Sequence, residues 1–492
     1  MSLSEIVKNV PFGTSGARGL VVDMTNEVCY AYTTAFLKYL SDVGQWSVGQ
    51  AVVIGGDLRS STPRIMAACA RACADMGAPV VYAGFVPSPA VALHGFSNGC
   101  PSLMVTGSHI PDDRNGIKFN TPSGEILKAD ELGITAQMAA LSLPDIFDEF
   151  GMLREAYALP AAVDEVRLAY VARYADFFGD ALAGLRVGVY QHSSVGRDVI
   201  VEILTALGAQ AVPLGRATSF IPVDTEAIRP EDVALAKQWA SESMFDAIVS
   251  TDGDADRPLV SNERGEWLRG DILGILCARF LGCTDVVTPV SSNTALEKSG
   301  WFDDVVRTRI GSPFVIEGMK SLLAAGKPVV AGYEANGGFL LASDVLHNGK
   351  TFKALPTRDA VVVMVAILAM ARAAGVKISA LSDQLPHRYT VSDRIKEFPT
   401  EVSMARLAAL SPSDIELQKE LLSEMFGEIS GVVVDVNHTD GLRMTFANEE
   451  IVHLRPSGNA PELRCYTEAS SDARANEINQ ACMGVLSTWR AS

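Results

Sequence analysis

Asp252, Asp254 and Asp256 are the residues of this sequence whose type and spacing point most directly to chemistry. They alternate in a short segment that follows the apolar run 245–250, which is typical of a buried β-strand. Alternate carboxylates in an extended segment point the same way and repel one another unless a cation lies between them. Carboxylate oxygens, few waters and a phosphate are the ligands that suit Mg²⁺, so the segment predicts a magnesium site.

Two other structures would also account for three close carboxylates. An EF-hand loop would place Glu263 at its twelfth position, but Arg257 occupies the sixth position, where such a loop needs glycine. A strand rather than a helix precedes the segment, which also argues against an EF-hand. A solvated acidic turn stays open as the alternative. Arg257 itself could hold a phosphate or balance the excess negative charge.

Ser108 follows a second apolar run, 103–105, in the string Thr-Gly-Ser-His, and Lys118 lies ten residues further on. Open α/β sheets place their chemistry in the loops at the ends of such strands. A hydroxyl there, with His109 beside it, could act as a nucleophile or carry a phosphate. The alternative is an ordinary turn in which serine caps a backbone group and Pro111 sets the bend.

Three more polar loops could bind an anion or a sugar. Residues 12–19 contain three glycines and Arg18, and residues 455–459 combine a guanidinium, a hydroxyl and an amide. Exposed backbone N–H groups beside a guanidinium suit a phosphate. Residues 334–338 follow the apolar run 328–332 and offer a carboxylate and an amide to sugar hydroxyls. Each of these loops could equally be a tight turn between regular elements.

Apolar strands alternate with helical segments through most of the chain, which predicts an α/β protein. Three stretches end in the same way, with an apolar strand followed by a polar, glycine-containing loop, at 105–109, 249–256 and 330–338. This pattern fits three similar mixed-sheet α/β domains, followed by a smaller C-terminal α+β domain. The predicted domains are 1–158 with the serine loop, 159–266 with the carboxylate loop, 267–385 with the 334–338 loop, and 386–492 with the 455–459 loop.

Composition limits the partners. The 492 residues carry a net charge of −17, whereas nucleic acid and anionic membranes both require basic surfaces. The longest apolar run, 360–371, is too short for the ~20 residues that span a bilayer and predicts a buried helix. Eight scattered cysteines without a Cys-x-x-Cys pair favour a reducing compartment, the cytoplasm, and the first residues lack the apolar stretch of a signal peptide.

Taken together, the loops at 12–19, 106–118, 252–257, 334–338 and 455–461 resemble those of the α-D-phosphohexomutase superfamily in order and spacing. The closest likeness is to its phosphomannomutase/phosphoglucomutase branch, and it covers nearly the whole chain. The resemblance implies four domains around a central cleft, with one loop from each. It also implies a reversible shift of phosphate between O6 and O1 of a hexose, most simply mannose, with Mg²⁺ as cofactor.

The resemblance also implies roles for individual residues. Ser108 would be phosphorylated, a hexose 1,6-bisphosphate would be the intermediate and activator, and Lys118 is a candidate general base. The implied residues are Ser108, His109, Lys118 and Arg18 for catalysis; Arg257, Thr308, Gly311, Glu334, Asn336 and Gly337 for substrate binding; Arg455, Ser457, Gly458 and Asn459 for the phosphate that is not transferred; and Ser108, Asp252, Asp254 and Asp256 for the metal.

The chain departs from the usual motifs at three loops. Gly107 stands where alanine is common, which predicts a looser serine loop, and Gly338 stands where the sugar loop commonly has histidine. Asn459 and Ala460 replace threonine and glutamate. The string 334–337 also resembles the N-acetylglucosamine-phosphate mutase branch, so a hexosamine phosphate is an alternative substrate. A metal-dependent serine phosphatase and a non-catalytic sugar-phosphate sensor are alternative functions.

Overall fold

The computed structural model describes residues 7–13, 16–457 and 461–489. These residues form two compact units: one comprises the chain up to Val286 together with Gly311–Ser382, and the other comprises Val287–Ile310 with the chain from Asp383 onward. None of the described helices is long and apolar enough to span a bilayer. The domain boundaries predicted at residues 158, 266 and 385 stay predictions.

The first domain contains a mixed sheet in the order β1-β5-β4-β2-β3, with β6 paired to β5. Strand β2 is parallel to both of its neighbours, β4 and β3, whereas β5 is antiparallel to β4 and β1. The elements are β1 (Ala17–Leu20), α1 (Asn26–Asp42), β2 (Val52–Gly56), α2 (Thr62–Asp75), β3 (Val80–Phe85), α3 (Ser88–Asn98), β4 (Ser102–Val105), β5 (Arg114–Thr121), β6 (Gly124–Glu125) and α4 (Lys128–Ala139). A short 3₁₀ turn precedes them at Val7–Asn9.

One detail of the first domain differs from the prediction. The loop that begins at Thr106 ends at residue 113, because β5 starts at Arg114 and Lys118 pairs with Met104 inside the sheet. Ile117 and Phe119 point into the core on either side of Lys118, which is the two-residue period of a strand. The N-cap residue of α2 is Ser61, and the Thr62 hydroxyl donates to Asp57.

The second domain contains a four-stranded sheet in the order β10-β9-β7-β8. The strands β7, β8 and β9 are parallel, and β10 runs antiparallel to β9. Strand β9 is completely buried, as its apolar sequence requires. The elements are α5 (Glu165–Phe178), β7 (Arg186–His192), α6 (Arg197–Ala206), β8 (Gln210–Arg216), α7 (Pro230–Ser243), β9 (Ala247–Thr251) and β10 (Pro258–Val260).

The third domain follows the same order of strands and helices. Its buried strand β13 pairs antiparallel with β14, and the buried helix predicted over the apolar run 360–371 begins at Ala360 with Asp359 as its cap. The elements are α8 (Gly270–Phe280), β11 (Asp285–Pro289), α9 (Ala295–Lys298), β12 (Asp304–Thr308), α10 (Ser312–Ala324), β13 (Val330–Tyr333), β14 (Phe339–Leu341), β15 (Val345–His347), β16 (Lys350–Phe352), α11 (Ala360–Ala374) and α12 (Ser379–Ser382).

The C-terminal domain is an antiparallel sheet covered by helices, in the order β17-β21-β20-β19-β18. Its core joins the sheet to the two long helices through residues such as Phe426, Leu454 and Ile478. The elements are β17 (Tyr389–Lys396), α13 (Thr400–Ala409), α14 (Ile415–Ser430), β18 (Val433–Asn437), β19 (Leu442–Phe446), β20 (Ile451–Pro456), β21 (Glu462–Ala469) and α15 (Asp472–Thr488).

The predicted repeat has a clear structural counterpart. In each of the first three domains a buried strand ends in the polar loop, and the chain then returns antiparallel beside that strand, as β4–β5, β9–β10 and β13–β14. The predicted fold class, three mixed-sheet α/β domains and a smaller α+β domain, is confirmed. Because the chain returns antiparallel in all three domains, each polar loop lies at the end of a rigid pair of strands.

Candidate active site

The three aspartates lie together at the end of β9. One carboxylate oxygen of each lies within 4.8 Å of the others, and all three side chains are buried. Ala255 between them has φ 60°, a left-handed conformation that is uncommon for a residue with a side chain. The loop is fixed by backbone bonds from Ser88 to the Asp254 carbonyl and from Val195 to the Gly253 carbonyl. The chain therefore holds three buried carboxylates together.

The chemistry of this cluster fits a divalent cation. Asp254 Oδ1 and Asp256 Oδ1 are buried and accept no hydrogen bond from the described residues. Their Oδ2 atoms both lie 2.5 Å from the ammonium nitrogen of Lys118. Burial and the neighbouring Asp254 and Asp256 raise the pKa of Asp252 well above its usual range. Buried oxygens that repel one another and have unused acceptor capacity are what a hard cation binds.

Ser108 lies against this cluster. Its hydroxyl donates a 2.6 Å hydrogen bond to Asp252 Oδ2, and its backbone N–H donates to the Thr106 hydroxyl at 2.7 Å. The residue is fully buried and has φ 54°, so its backbone is held in the left-handed region. Conformations of this kind persist where the surroundings impose them, often at functional sites. Gly253 permits the approach, because a Cβ there would lie 2.7 Å from the Ser108 carbonyl oxygen.

A buried arginine holds the serine loop in place. The Arg59 guanidinium donates to the carbonyl oxygens of Ser108, Ile110, Pro111 and Arg114, at 2.6 to 3.1 Å. It also pairs with Asp57 at 3.1 Å.

Gly107 makes room for this arginine. A Cβ at position 107 would lie 2.6 Å from Cζ of Arg59, so the glycine leaves the space that the guanidinium occupies. The prediction that Gly107 loosens the loop is therefore corrected: the glycine admits a side chain that ties four loop carbonyls together.

Positive charges surround the serine and the aspartates. Arg257 donates to His109 Nδ1 at 2.7 Å and lies within 4 Å of Asp252 and Asp256. Burial, with Arg257 as the next cause, lowers the pKa of His109 to about 3, so its imidazole is neutral near pH 7. Burial and Arg257 also lower the pKa of Arg18 to about 10, which leaves it charged. Arg18, Arg257 and Lys118 can thus stabilise a phosphate beside Ser108.

The 334–338 loop of the third domain joins the same cluster through Arg358. This arginine bonds Glu334 Oε2 and Asp256 Oδ2, each at 3.0 Å. Asn336 stays in the loop, where its Oδ1 accepts from the Gly338 N–H and its carbonyl accepts from Thr225. Gly337 has φ 88°, which suits glycine. Gly311, another predicted substrate residue, has φ 132° and caps α10.

The other predicted binding residues lie in the second compact unit. Asp440 Oδ2 accepts from Arg455 Nε at 2.8 Å and from the Ile310 N–H at 2.9 Å. Thr308 ends β12, two residues before Ile310. The backbone N–H of Ser457 donates to the Glu462 carbonyl oxygen. Gly458 and Asn459 lie outside the described residues.

Sequence reasoning missed Arg59, Arg358 and Asp440 as site residues. Each has a signal in the sequence that could have found it. Asp57 and Arg59 follow a wholly apolar strand, and Arg358 with Asp359 precedes the longest apolar run, so charged pairs there must be buried with partners. Asp440 stands in the turn between two strands, which gives a weaker signal.

Known proteins resemble this chain over its whole length. Models of the phosphoglucomutase/phosphomannomutase family match all four of its parts: alpha/beta/alpha domain I at 9–144, domain II at 169–265, domain III at 269–389 and the C-terminal domain at 406–484. A phosphomannomutase of Sinorhizobium fredii is 44% identical over 97% of this chain and 98% of its own length. One of Salmonella muenchen is 43% identical over 95% and 94%.

A solved structure gives the same result for the fold. The phosphoglucomutase/phosphomannomutase family protein of Burkholderia thailandensis superposes with a TM-score of 0.73, covering 99% of this chain and 98% of its own. Its 20% identity supports the shared fold alone. Because the family models cover most of the sequence and two relatives are over 40% identical along nearly all of it, the chain belongs to the phosphoglucomutase/phosphomannomutase family.

Proposed function

We propose that this protein is a phosphohexomutase that interconverts hexose 6-phosphate and hexose 1-phosphate, with mannose as its sugar. The observation that carries the proposal is the 2.6 Å hydrogen bond from the Ser108 hydroxyl to Asp252, within the buried carboxylate cluster. It brings a hydroxyl that can carry phosphate next to oxygens that can hold a cation. Relatives at 44% and 43% identity are named phosphomannomutases, which favours mannose over a hexosamine.

In the proposed reaction, phosphorylated Ser108 donates its phosphate to the free O1 or O6 of the bound sugar phosphate. The bond from phosphorus to Ser108 Oγ breaks as the bond to the sugar oxygen forms, which gives a hexose 1,6-bisphosphate. The bisphosphate turns over, and its other phosphate returns to Ser108. A hexose 1,6-bisphosphate is therefore also the proposed activator, since it can phosphorylate the serine at the start.

Positioning and charge stabilisation account for most of the catalysis of phosphoryl transfer. Arg18 and Arg257 are proposed to stabilise the negative oxygens of the phosphate, with a neutral His109 held beside Ser108 by Arg257. Lys118 is the proposed general base for the attacking hydroxyl. In its charged form it donates to Asp254 and Asp256, so base catalysis requires the neutral amine.

Asp252, Asp254 and Asp256 are proposed to hold Mg²⁺, with the Ser108 phosphate as a further ligand. When bound, the ion supplies positive charge that stabilises the transferring phosphate. The unused, buried Oδ1 atoms of Asp254 and Asp256 support this assignment. The choice of Mg²⁺ rests on its preference for carboxylate and phosphate oxygens.

The remaining residues are proposed to hold the substrate. Two groups are distinguished by chemistry: hydroxyl-binding residues for the sugar, and a cradle for the phosphate that is not transferred. The sugar residues are Arg257, Thr308, Gly311, Glu334, Asn336 and Gly337, and the phosphate residues are Arg455, Ser457, Gly458 and Asn459. A cradle for a second phosphate favours a mutase, because a phosphatase gains nothing from holding it.

One assay distinguishes the proposed mutase from its alternatives. The protein is mixed with Mg²⁺, mannose 1-phosphate and a trace of glucose 1,6-bisphosphate, and the reaction is followed by phosphorus NMR. Mannose 6-phosphate is the expected product. Release of inorganic phosphate would show the serine phosphatase instead. An unchanged spectrum, together with turnover of glucosamine 1-phosphate in a parallel sample, would show the hexosamine mutase.

The proposed compartment is the cytoplasm. All eight cysteines are free, and seven of them are buried. Free cysteines persist in reducing compartments, whereas oxidising ones favour disulfides.

A further inference from the structure

Arg358 directly precedes Asp359, the cap of α11, and is 3% exposed although it carries a full charge. Its guanidinium joins two carboxylates from different domains: Nε and one terminal nitrogen lie 3.0 Å from Asp256 Oδ2, and the other terminal nitrogen lies 3.0 Å from Glu334 Oε2. We infer that Arg358 is the positioning residue that orients Glu334 for the sugar, and that Gly338 is kept free of a side chain to admit it. This inference rests on the proposed function.

The contact uses the fork shape of arginine. Three nitrogens of one rigid plane are engaged, two on Asp256 and one on Glu334. Only one oxygen of Glu334 takes part, so Oε1 is left outside this bond. A lysine could supply the charge but could not hold the two carboxylates at fixed angles. The orientation of Glu334 is thus tied to the loop that carries the aspartates.

Gly338 leaves the space through which Arg358 passes. A Cβ at position 338 would lie 2.5 Å from Cδ of Arg358 and 2.8 Å from its Cγ. Both atoms belong to the middle of a side chain whose far end is fixed by three bonds, so it cannot move aside cheaply. Gly338 is therefore needed here for space, whereas its neighbour Gly337 suits the positive φ of 88° at that position.

The neighbours of Arg358 are fixed by two other domains. The Thr357 hydroxyl donates to Glu125 Oε1 at 2.6 Å, in the first domain. Asp359 accepts hydrogen bonds from the hydroxyls of Tyr170 and Tyr174 on α5, in the second domain, and caps α11 through the Val361 N–H. The backbone of Arg358 is therefore held on both sides, and its side chain reaches the site from a rigid base.

Charge explains why the residue is required. Glu334 and Asp256 are both buried carboxylates and would repel each other without a cation between them. The Arg358 guanidinium is the cation that lies 3.0 Å from each of them. Because a guanidinium does not give up its proton in proteins, Arg358 orients Glu334 and does not transfer a proton.

Binding of mannose 1-phosphate, measured by calorimetry on the full chain, tests the inference. A hydrogen bond to a charged group contributes about 1.5–3 kcal/mol, so Arg358→Gln and Glu334→Gln are each expected to weaken binding about tenfold to a hundredfold. The double variant is expected to bind no more weakly than the worse single variant, because both changes remove one interaction. Arg358→Lys is expected not to restore binding. Arg372→Gln, at the other end of α11, is the matched control and is expected to bind as the unaltered protein does.

Two results would overturn the inference. One is unchanged affinity in Arg358→Gln, and the other is a fold-loss of affinity in the double variant that equals the product of the two single fold-losses. If Arg358→Gln does not fold, the same binding measurement is made on Gly338→Ala. This variant keeps the charge of Arg358 but displaces its guanidinium. Weaker binding by this variant supports the inference, and unchanged affinity overturns it. Failure of the unaltered protein to bind or convert any hexose phosphate would overturn the proposed function as well, and would be seen before any variant is made.

Discussion

Gly107 and Gly338 serve the same purpose in two different loops: each leaves room for a buried arginine. Arg59 fills the space beside Gly107, and Arg358 fills the space beside Gly338. Each arginine then bonds the groups that shape its loop, carbonyl oxygens in one case and carboxylates in the other. At both positions the chain lacks a side chain that related motifs commonly have, and the structure supplies one from elsewhere in the fold.

Gly107→Ala is predicted to destabilise the protein, although alanine is common at this position in related motifs. The new methyl group would meet the Arg59 guanidinium at 2.6 to 2.9 Å and displace it from the loop carbonyls. Overpacking of this kind costs about 1–3 kcal/mol. Urea unfolding measures the loss, and mutase activity is expected to fall with it.

Gly124→Ala is the matched control for this variant, since nothing lies within 4 Å of a Cβ at position 124 in the same domain. It is expected to leave both stability and activity close to those of the unaltered protein. Equal stability of the Gly107 and Gly124 variants would contradict the account of the serine loop.

Asp254→Asn is predicted to weaken the dependence of activity on Mg²⁺. The change removes a charge from the buried cluster while preserving shape, so the cluster attracts a cation less strongly. Activity measured against Mg²⁺ concentration is expected to reach half its maximum at a higher concentration than in the unaltered protein. If activity depends on Mg²⁺ concentration in the same way in both proteins, this loop is not the metal site.

At the scale of elements, α11 depends on two tyrosines of α5. Tyr170 donates to Asp359 at 2.7 Å, and Tyr174 donates to the other oxygen of the same carboxylate. Asp359 in turn caps α11, so the start of this helix is fixed by a helix of another domain. Arg358 is the residue before this cap, so the fixed helix start also fixes the backbone of Arg358.

Tyr170→Phe is predicted to lower the free energy of unfolding by about 1–3 kcal/mol, because it removes one of the two hydrogen bonds to the buried Asp359 Oδ1 and leaves only that from the Val361 N–H. Tyr174→Phe is expected to act similarly. Thermal or urea unfolding of the two single variants and the double variant measures this. Both hydroxyls serve one carboxylate, so the two losses are expected not to add. Additive losses would contradict a shared role at the helix start.

Sequence reasoning predicted most elements because their apolar periods are regular. The strand β9 and the helix α11 are examples, since each is an almost continuous apolar run. It missed β5, which carries Lys118, because this strand follows the serine loop at once and contains only two core side chains. The aspartates were recognised from spacing alone, whereas for Arg59 and Arg358 the neighbouring apolar runs indicate a buried charge but not the distant groups that it bonds.

In the whole molecule, the division into compact units cuts through the predicted third domain, 267–385. Residues 287–310 fall in the same compact unit as the C-terminal domain, where Asp440 accepts hydrogen bonds from the Ile310 N–H and from Arg455. Chain order could not reveal this, because Ile310 and Asp440 are 130 residues apart and only the folded backbone brings them together. The implied substrate loop after β12 therefore has its contacts in the same unit as Arg455.

Acid is predicted to destabilise this second unit partly through His453. Burial is the main cause that lowers the pKa of His453 to about 4, and the charges of Arg443 and Arg455 lower it further. The hydrogen bond to the Asp440 carbonyl and the Asp440 charge act in the opposite direction. The folded protein favours the neutral imidazole, so this stabilisation is present above pH ~6.5 and is lost as the pH falls towards 4.

The loss between neutral pH and pH 4 amounts to about 3 kcal/mol for this one group. The free energy of unfolding of His453→Gln is therefore expected to fall less over this range than that of the unaltered protein. His347→Gln, at an exposed histidine, is the control and is expected to follow the unaltered protein. Parallel curves for all three proteins would contradict a neutral, buried His453.

Phosphorylation of Ser108 can be measured directly by peptide mass spectrometry. The protein is incubated with glucose 1,6-bisphosphate, and one half is then treated with excess mannose 1-phosphate before digestion. We expect phosphate on Ser108 in both halves, because each turnover returns a phosphate to the serine, together with mannose 6-phosphate in the second half and no phosphorylation of Ser108→Ala. Turnover of mannose 1-phosphate by a protein that never carries phosphate on Ser108 would contradict the account.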